Sequence, residues 1–204
     1  MSNFSWDLNK CNSSLLEFSS SNRKVTHKGN RGENAAAVSR SCFTRGKHTL
    51  SVVCPNSFSG ALGIQNSLLI LTILGVGFVD ENFDATNNSY VDRDLCKNYM
   101  FWSVGNFFDC NGEMVEHPGT FPLFRALDII TIELDMENKR IKFFKNEKEV
   151  VELVVEAERL WLIVNLFKPG QSLTILKWNT VTYEAPPKPS QTTKSGWSRN
   201  MSVL

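Results

Sequence analysis

The chain has 204 residues, 42% hydrophobic and 21% charged, which suits one domain with a sizeable core and excludes the composition of a disordered chain. Lys and Arg number 22 against 21 Asp and Glu, so no net field gathers nucleic acid or an anionic membrane, and neither is expected as a partner. The cysteines (Cys11, Cys42, Cys54, Cys96, Cys110) are odd in number with no C-x-x-C spacing, and His27, His48 and His117 form no H-x-x-x-H pair; a disulfide framework, a metal site and a cofactor are all unexpected.

In chain order, the opening MSNFSWDLNK has no basic stretch followed by an apolar run, so the expected location is cytoplasmic or otherwise intracellular. Short strands are expected at Arg23–His27 and Asn34–Val38, with Arg23, Lys24, Lys28 and Arg31 as a solvated basic loop face. A strand at Lys47–Cys54 precedes the apolar run Leu68–Val79, which Thr72, Gly75 and Gly77 interrupt. That run is well short of the roughly 20 residues that span a bilayer and reads as a buried strand. Gly75-Val76-Gly77 lacks the later glycine and following helix of a phosphate cradle, so close strand packing is its expected role.

Further strands are expected at Tyr99–Val104 and Glu113–Glu116. The clearest pattern is Asp128–Asn146, where IITIELD alternates, ENKR interrupts and IKFFKN resumes; this reads as a β-hairpin turning at Glu137–Lys139. Val150–Arg159 reads as a strand entering a loop, with a helical turn as the alternative, and strands at Leu160–Leu166 and Ser172–Lys177 follow. Trp6, Trp102 and Trp161 fall on strand-like stretches and are expected in the core, while Trp178 is expected to cap the last strand. From Glu184 onward, Pro186, Pro187 and Pro189 block strand pairing and little apolar remains. A folded unit over 1–183 and a disordered tail over 184–204 are expected. Many short strands without intervening helices give an all-β fold, an antiparallel sandwich.

Glu133, Asp135 and Glu137 alternate along one strand face, the line a retaining glycosidase needs, and they resemble the E-x-D-x-E motif of the laminarinase-like glycoside hydrolases. Asn138, Lys139 and Arg140 follow at once, however, and place Glu137 in a turn. A solvated turn carboxylate beside two cations stays ionised and is unsuited to acid/base work. A non-catalytic binding protein is the preferred reading; a β-glucan hydrolase using these three residues, or a lectin on the same fold, is the alternative.

Taken together, the strand segments resemble the SPRY domain, called B30.2 in its longer form. Phe4–Asp7 is similar to the family's opening Trp-Asp. Ser41–Val52 resembles its G-x-H-Y-W-E-V strand, and Leu74–Phe78 its V-G-V-A strand. Tyr99–Ser103 followed by Asn111-Gly112-Glu113 resembles S-W-G-Y and the N-G turn after it. Asp128–Asn146 resembles D-x-I-G-x-x-L-D-x-D-x-G-x-L-S-F-x-x-N-G, and Leu160–Leu166 resembles L-Y-P-A-V-S-L. Lys139 stands where that hairpin usually has Gly, Glu147 replaces the Gly after Asn146, and Leu162 replaces a Pro.

The resemblance implies a bent, concanavalin-like sandwich of two antiparallel sheets with no active site, which takes a peptide or protein partner in a groove of loops at one end. Such modules often select targets for ubiquitin ligases, so an adaptor role is implied. By position, the groove falls to Lys28, Asn30 and Arg31, to Val79, Asp80, Glu81 and Phe83, and to Phe167 and Lys168; Tyr90, in the loop Asp80–Asn98, is expected to face it. Separately, Ser202-Val203-Leu204 matches the S-x-hydrophobic ending that PDZ domains capture by strand addition.

Overall fold

The computed structural model describes residues 4–30, 33–55, 74–85, 96–102, 107–108 and 126–181. Within them lie β1 (Leu16–Ser19), β2 (Lys24–His27), β3 (Ala35–Phe43), β4 (Lys47–Val53), β5 (Leu74–Val79), β6 (Asn98–Trp102), β7 (Phe107–Phe108), β8 (Ile129–Asp135), β9 (Arg140–Lys145), β10 (Lys148–Val154), β11 (Leu160–Leu166) and β12 (Ser172–Val181). They form two antiparallel sheets, one ordered β1-β2-β12-β4-β8-β9-β10 and the other β3-β11-β5-β6-β7. The fold is the expected all-β sandwich.

Residue pattern explains each layer. In β8, Ile130, Ile132 and Leu134 turn inward while Glu133 stays exposed on the outer side, as a period of two dictates for a strand covered on one face. In β11 the whole run is buried: Leu160, Leu162, Val164 and Leu166 enter the core between the sheets, and Trp161 and Ile163 enter a second apolar cluster on the outer face of the five-stranded sheet. An unbroken apolar run is what a central strand covered on both faces requires.

Gly77 of β5 lies close against β6, since an added Cβ would lie 2.0 Å from the Tyr99 carbonyl oxygen. Close strand packing is its role. The Tyr99 hydroxyl in turn accepts the amides of Glu156 (2.8 Å) and Ala157 (3.4 Å) and ties β6 to the approach of β11.

Several sequence expectations change at their edges. The stretch resembling one strand over Ser41–Val52 is divided by a turn at Thr44–Gly46, with Gly46 at φ 84°, so Ser41–Phe43 ends β3 and Lys47 begins β4. Val150–Arg159 is strand to Val154 and then loop. Trp178 does not cap the final strand, because β12 runs on to Val181; the indole packs tilted on Phe4 and Phe43 at 5.2 and 5.1 Å. Trp6 and Trp161 are buried. The side chain of Trp102, the strand expected at Glu113–Glu116, Cys110 and the tail from Glu184 lie outside the described residues.

Both departures at the hairpin glycines keep a glycine-like backbone. Lys139 has φ 53°, and Asn146 and Glu147 have φ 48° and 70°, the double left-handed turn that joins two antiparallel strands by two residues. Cys11 and Cys54 are buried free thiols, and Cys96 is buried as well. Burial pushes Cys11 up to about 11 and Cys54 up to about 12, so both are packing groups and not nucleophiles.

Candidate loop-borne binding site

β2 and β12 lie side by side, with Thr26 opposite Ser172. Past the last pair, His27 N–H donates to the Gln171 carbonyl at 2.8 Å and Gly170 N–H donates to the His27 carbonyl at 2.8 Å. The loop leaving β11 is thereby fastened to the loop leaving β2. Gly170 permits this turn by adopting φ 80°. The buried Gln171 side chain then organises the rest, its Oε1 accepting the amides of Phe167 (2.6 Å) and Lys168 (2.9 Å).

On the other loop, His27 Nε2 lies 2.8 Å from the Glu33 carbonyl, and a Glu33 carboxylate oxygen accepts the Asn30 amide at 2.6 Å. Gly29 fits between them; a Cβ there would meet Leu15 at 2.6 Å and Glu33 Oε2 at 2.8 Å. The outcome is a braced loop pair presenting exposed Lys28 and Asn30 beside half-buried Phe167 and Lys168. Phe167 also packs against the outer cluster, so its ring is held from beneath.

Four other expected groove residues lie at the opposite end of the sheet. Leu166 is opposite Leu74, whereas Val79 is opposite Trp161, and a rise of about 3.3 Å per residue puts the Val79 level roughly 20 Å from Phe167. Val79 is 1% exposed and belongs to the outer cluster, because antiparallel pairing with β11 and β6 turns it onto the apolar face. Asp80 is also buried and closes a local turn, accepting from the amide and the side-chain nitrogen of Asn82, both at 3.1 Å. Glu81 is exposed, and Phe83 packs onto the outer cluster. A single groove holding all these residues is therefore corrected to two separate loop clusters. Arg31 and Tyr90 lie outside the described residues.

The carboxylate line on β8 is taken up by the hairpin. Asp135 accepts the amides of Glu137 (3.1 Å) and Asn138 (3.0 Å) and pairs with Lys47 at 2.8 Å. Partial burial would raise its pKa, but the hydrogen bonds from Lys47 and Asn138 outweigh that and hold it at about 2. Glu137 reaches across to accept the Gly46 amide at 2.9 Å. One carboxylate is thus fixed as a turn acceptor and another is held ionised, while Glu133 stays exposed on the outer side of β8.

His27 and Gln171 are the positioning residues that sequence reading missed. Neither stands in a motif; only the Pro169-Gly170 pair signalled a turn there. Among the described residues no group of three or more His, Cys, Asp or Glu is placed to hold a metal ion.

The SPRY domain family model matches residues 70–173. No curated protein matches the chain. Among solved structures, the SPRY domain of human HERC1 aligns over 83% of this chain and 96% of its own, with TM-score 0.61 at 22% identity. The TRIM65 PSpry domain aligns over 86% and 93%, with TM-score 0.55 at 15% identity. The carbohydrate-binding module CBM66 from Bacillus subtilis aligns over 88% and 98%, with TM-score 0.51 at 9% identity, a likeness of fold alone. SPRY domains are typically non-catalytic modules that commonly mediate protein–protein interaction. By its matched family model and its two-sheet architecture, the chain belongs to the SPRY domain family.

Proposed function

We propose that this chain is an intracellular recognition module that binds a peptide or protein partner at the Phe167 end, through Lys28, Asn30, Phe167 and Lys168. The observation that carries this reading is the bracing of Phe167. Gln171 holds its amide, the outer cluster supports its ring, Lys168 follows it, and Lys28 stands on the loop to which its own loop is fastened. A part-exposed aromatic held by a fixed backbone is preorganised as an interface anchor, because little entropy remains to be lost on docking. Glu81 and Phe83 belong to a second, separate loop cluster. An adaptor role that presents targets to a ubiquitin ligase agrees with the family.

Affinity capture with the wild-type chain and with Phe167→Ala, read by mass spectrometry, tests the reading. Partners lost by the substitution are expected. Retention of every partner would refute it, as would glycan-array binding that survives the substitution. Glucan hydrolysis that disappears in Glu133→Gln would refute it too.

A further inference from the structure

We propose that a second surface, the corner formed by Lys10, Arg40 and Arg159 around Trp161, docks an acidic segment of a partner protein. The corner lies where β3 ends and β11 begins, because Trp161 is opposite Cys42 and Leu160 opposite Phe43. It is thus at the opposite end of β11 from Phe167.

Trp161 is 6% exposed, and the side chains of two cations cover it. Lys10 Nζ is 4.4 Å and Arg159 Cζ 5.3 Å from its ring centroid. The two positive charges are therefore no more than about 10 Å apart, within or near one screening length at physiological salt. Arg40 lies in the bulge between the Trp161–Cys42 and Ile163–Val38 pairs, two residues from the Cys42 that faces Trp161, its amide donating to the Ser5 carbonyl at 2.9 Å.

All three cations are exposed, and none forms an ion pair among the described residues. Of the acids at this end, Glu156 pairs with Lys97 at 2.8 Å and Asp7 accepts the Asn9 amide at 3.1 Å, while Glu81, two residues beyond the Val79 that faces Trp161, is exposed. Lys47, Lys142 and Lys145, by contrast, pair with Asp135, Glu149 and Asp128.

An indole face attracts cations but does not neutralise them. Carboxylates entering between Lys10 and Arg159 would meet two cations that form no ion pair among the described residues, over an apolar floor. A protein segment suits this corner better than nucleic acid does, because three cations on a chain of net charge +1 cannot track a phosphate backbone.

The test is fluorescence anisotropy with the full chain and three labelled probes: a short Glu-rich peptide, the same peptide with every Glu replaced by Gln, and a single-stranded oligonucleotide. The Glu peptide is expected to bind at least about tenfold more tightly than the Gln peptide, and more weakly as salt rises. Lys10→Glu with Arg159→Glu should weaken the Glu peptide by about tenfold or more, while Phe167→Ala changes it by less than about twofold. Lys10→Gln with Arg159→Gln, which removes charge without reversing it, should give an intermediate loss and guards against misfolding of the reversed variant. Equal binding of the two peptides overturns the proposal, as does no binding of the Glu peptide, indifference to charge reversal, loss with Phe167→Ala, or preference for the oligonucleotide. The loop site at Phe167 stands or falls separately on its own capture experiment.

Discussion

His27 Nε2 lies 2.8 Å from the carbonyl oxygen of Glu33, and the ring is 1% exposed. A carbonyl only accepts, so the proton of neutral His27 sits on Nε2, and Nδ1 is left buried with no hydrogen-bond partner. The backbone of the same residue exchanges bonds with Gly170 and Gln171. One residue thereby fastens both loops of the Phe167 site.

Replacing His27 by Phe keeps the volume and removes the bond to Glu33. The expected cost is about 1–2 kcal/mol, with faster amide hydrogen exchange at Asn30 and Glu33 than at the hairpin of β8 and β9. Urea denaturation and exchange mass spectrometry read both. Unchanged exchange in the loop would show that the ring does not hold it.

Gly77→Ala should be among the most damaging single substitutions in the sandwich. Its Cβ would meet the Tyr99 carbonyl at 2.0 Å and Met100 Cα at 2.9 Å, and neither is a flexible side-chain end. The cost should be roughly 3 kcal/mol, and a thermal melt should show Tm lower by roughly 10 °C. An unchanged Tm would mean that β6 moves aside without loss.

Glu147→Gly is expected to stabilise the chain. Glu147 holds φ 70° at an exposed turn, where a side chain is strained and glycine is not. Relief of strain less the added freedom of the unfolded chain leaves a gain of about 0.5–1 kcal/mol. The denaturation midpoint should rise; a fall would show that the Glu147 side chain makes a net contribution outweighing its strain.

Stability should decline below pH 6.5 in a way that depends on His48. Burial lowers the His48 pKa below its ordinary 6.5, against the opposing bond of its Nε2 to the Arg45 carbonyl at 2.8 Å. The unfolded chain then binds a proton that the folded chain refuses. Folding is favoured above 6.5 and loses that advantage as pH falls through it. Asp135 acts in a lower window, its stabilisation being lost from 3.8 down towards 2. Denaturation of wild type and His48→Gln at about pH 7.5 and about pH 5.5 should show the smaller loss in the variant. Equal losses would assign the dependence to other groups.

Strand alternation was legible in the sequence because it is local. IITIELD and LWLIVNL each announce which faces are covered, and both became strands over the expected residues. The turn that occupies Glu137 was equally readable from Asn138 to Arg140. β1 and β7, of four and two residues, were too short to show a period.

The site was legible only in fragments. Which loops are neighbours depends on register, and register belongs to pairs of strands distant in sequence. The opposition of Leu166 to Leu74 and of Trp161 to Val79 sends Phe167 and Asp80 to opposite ends. Burial of Val79, the bracing by His27 and Gln171, and the gathering of Lys10 and Arg159 on one indole arise from the same pairing. Residue types along the chain therefore determined the layers and their apolar faces, whereas only the tertiary structure decided which polar side chains share a surface, because side-chain proximity is set by cross-strand register and not by spacing along the chain.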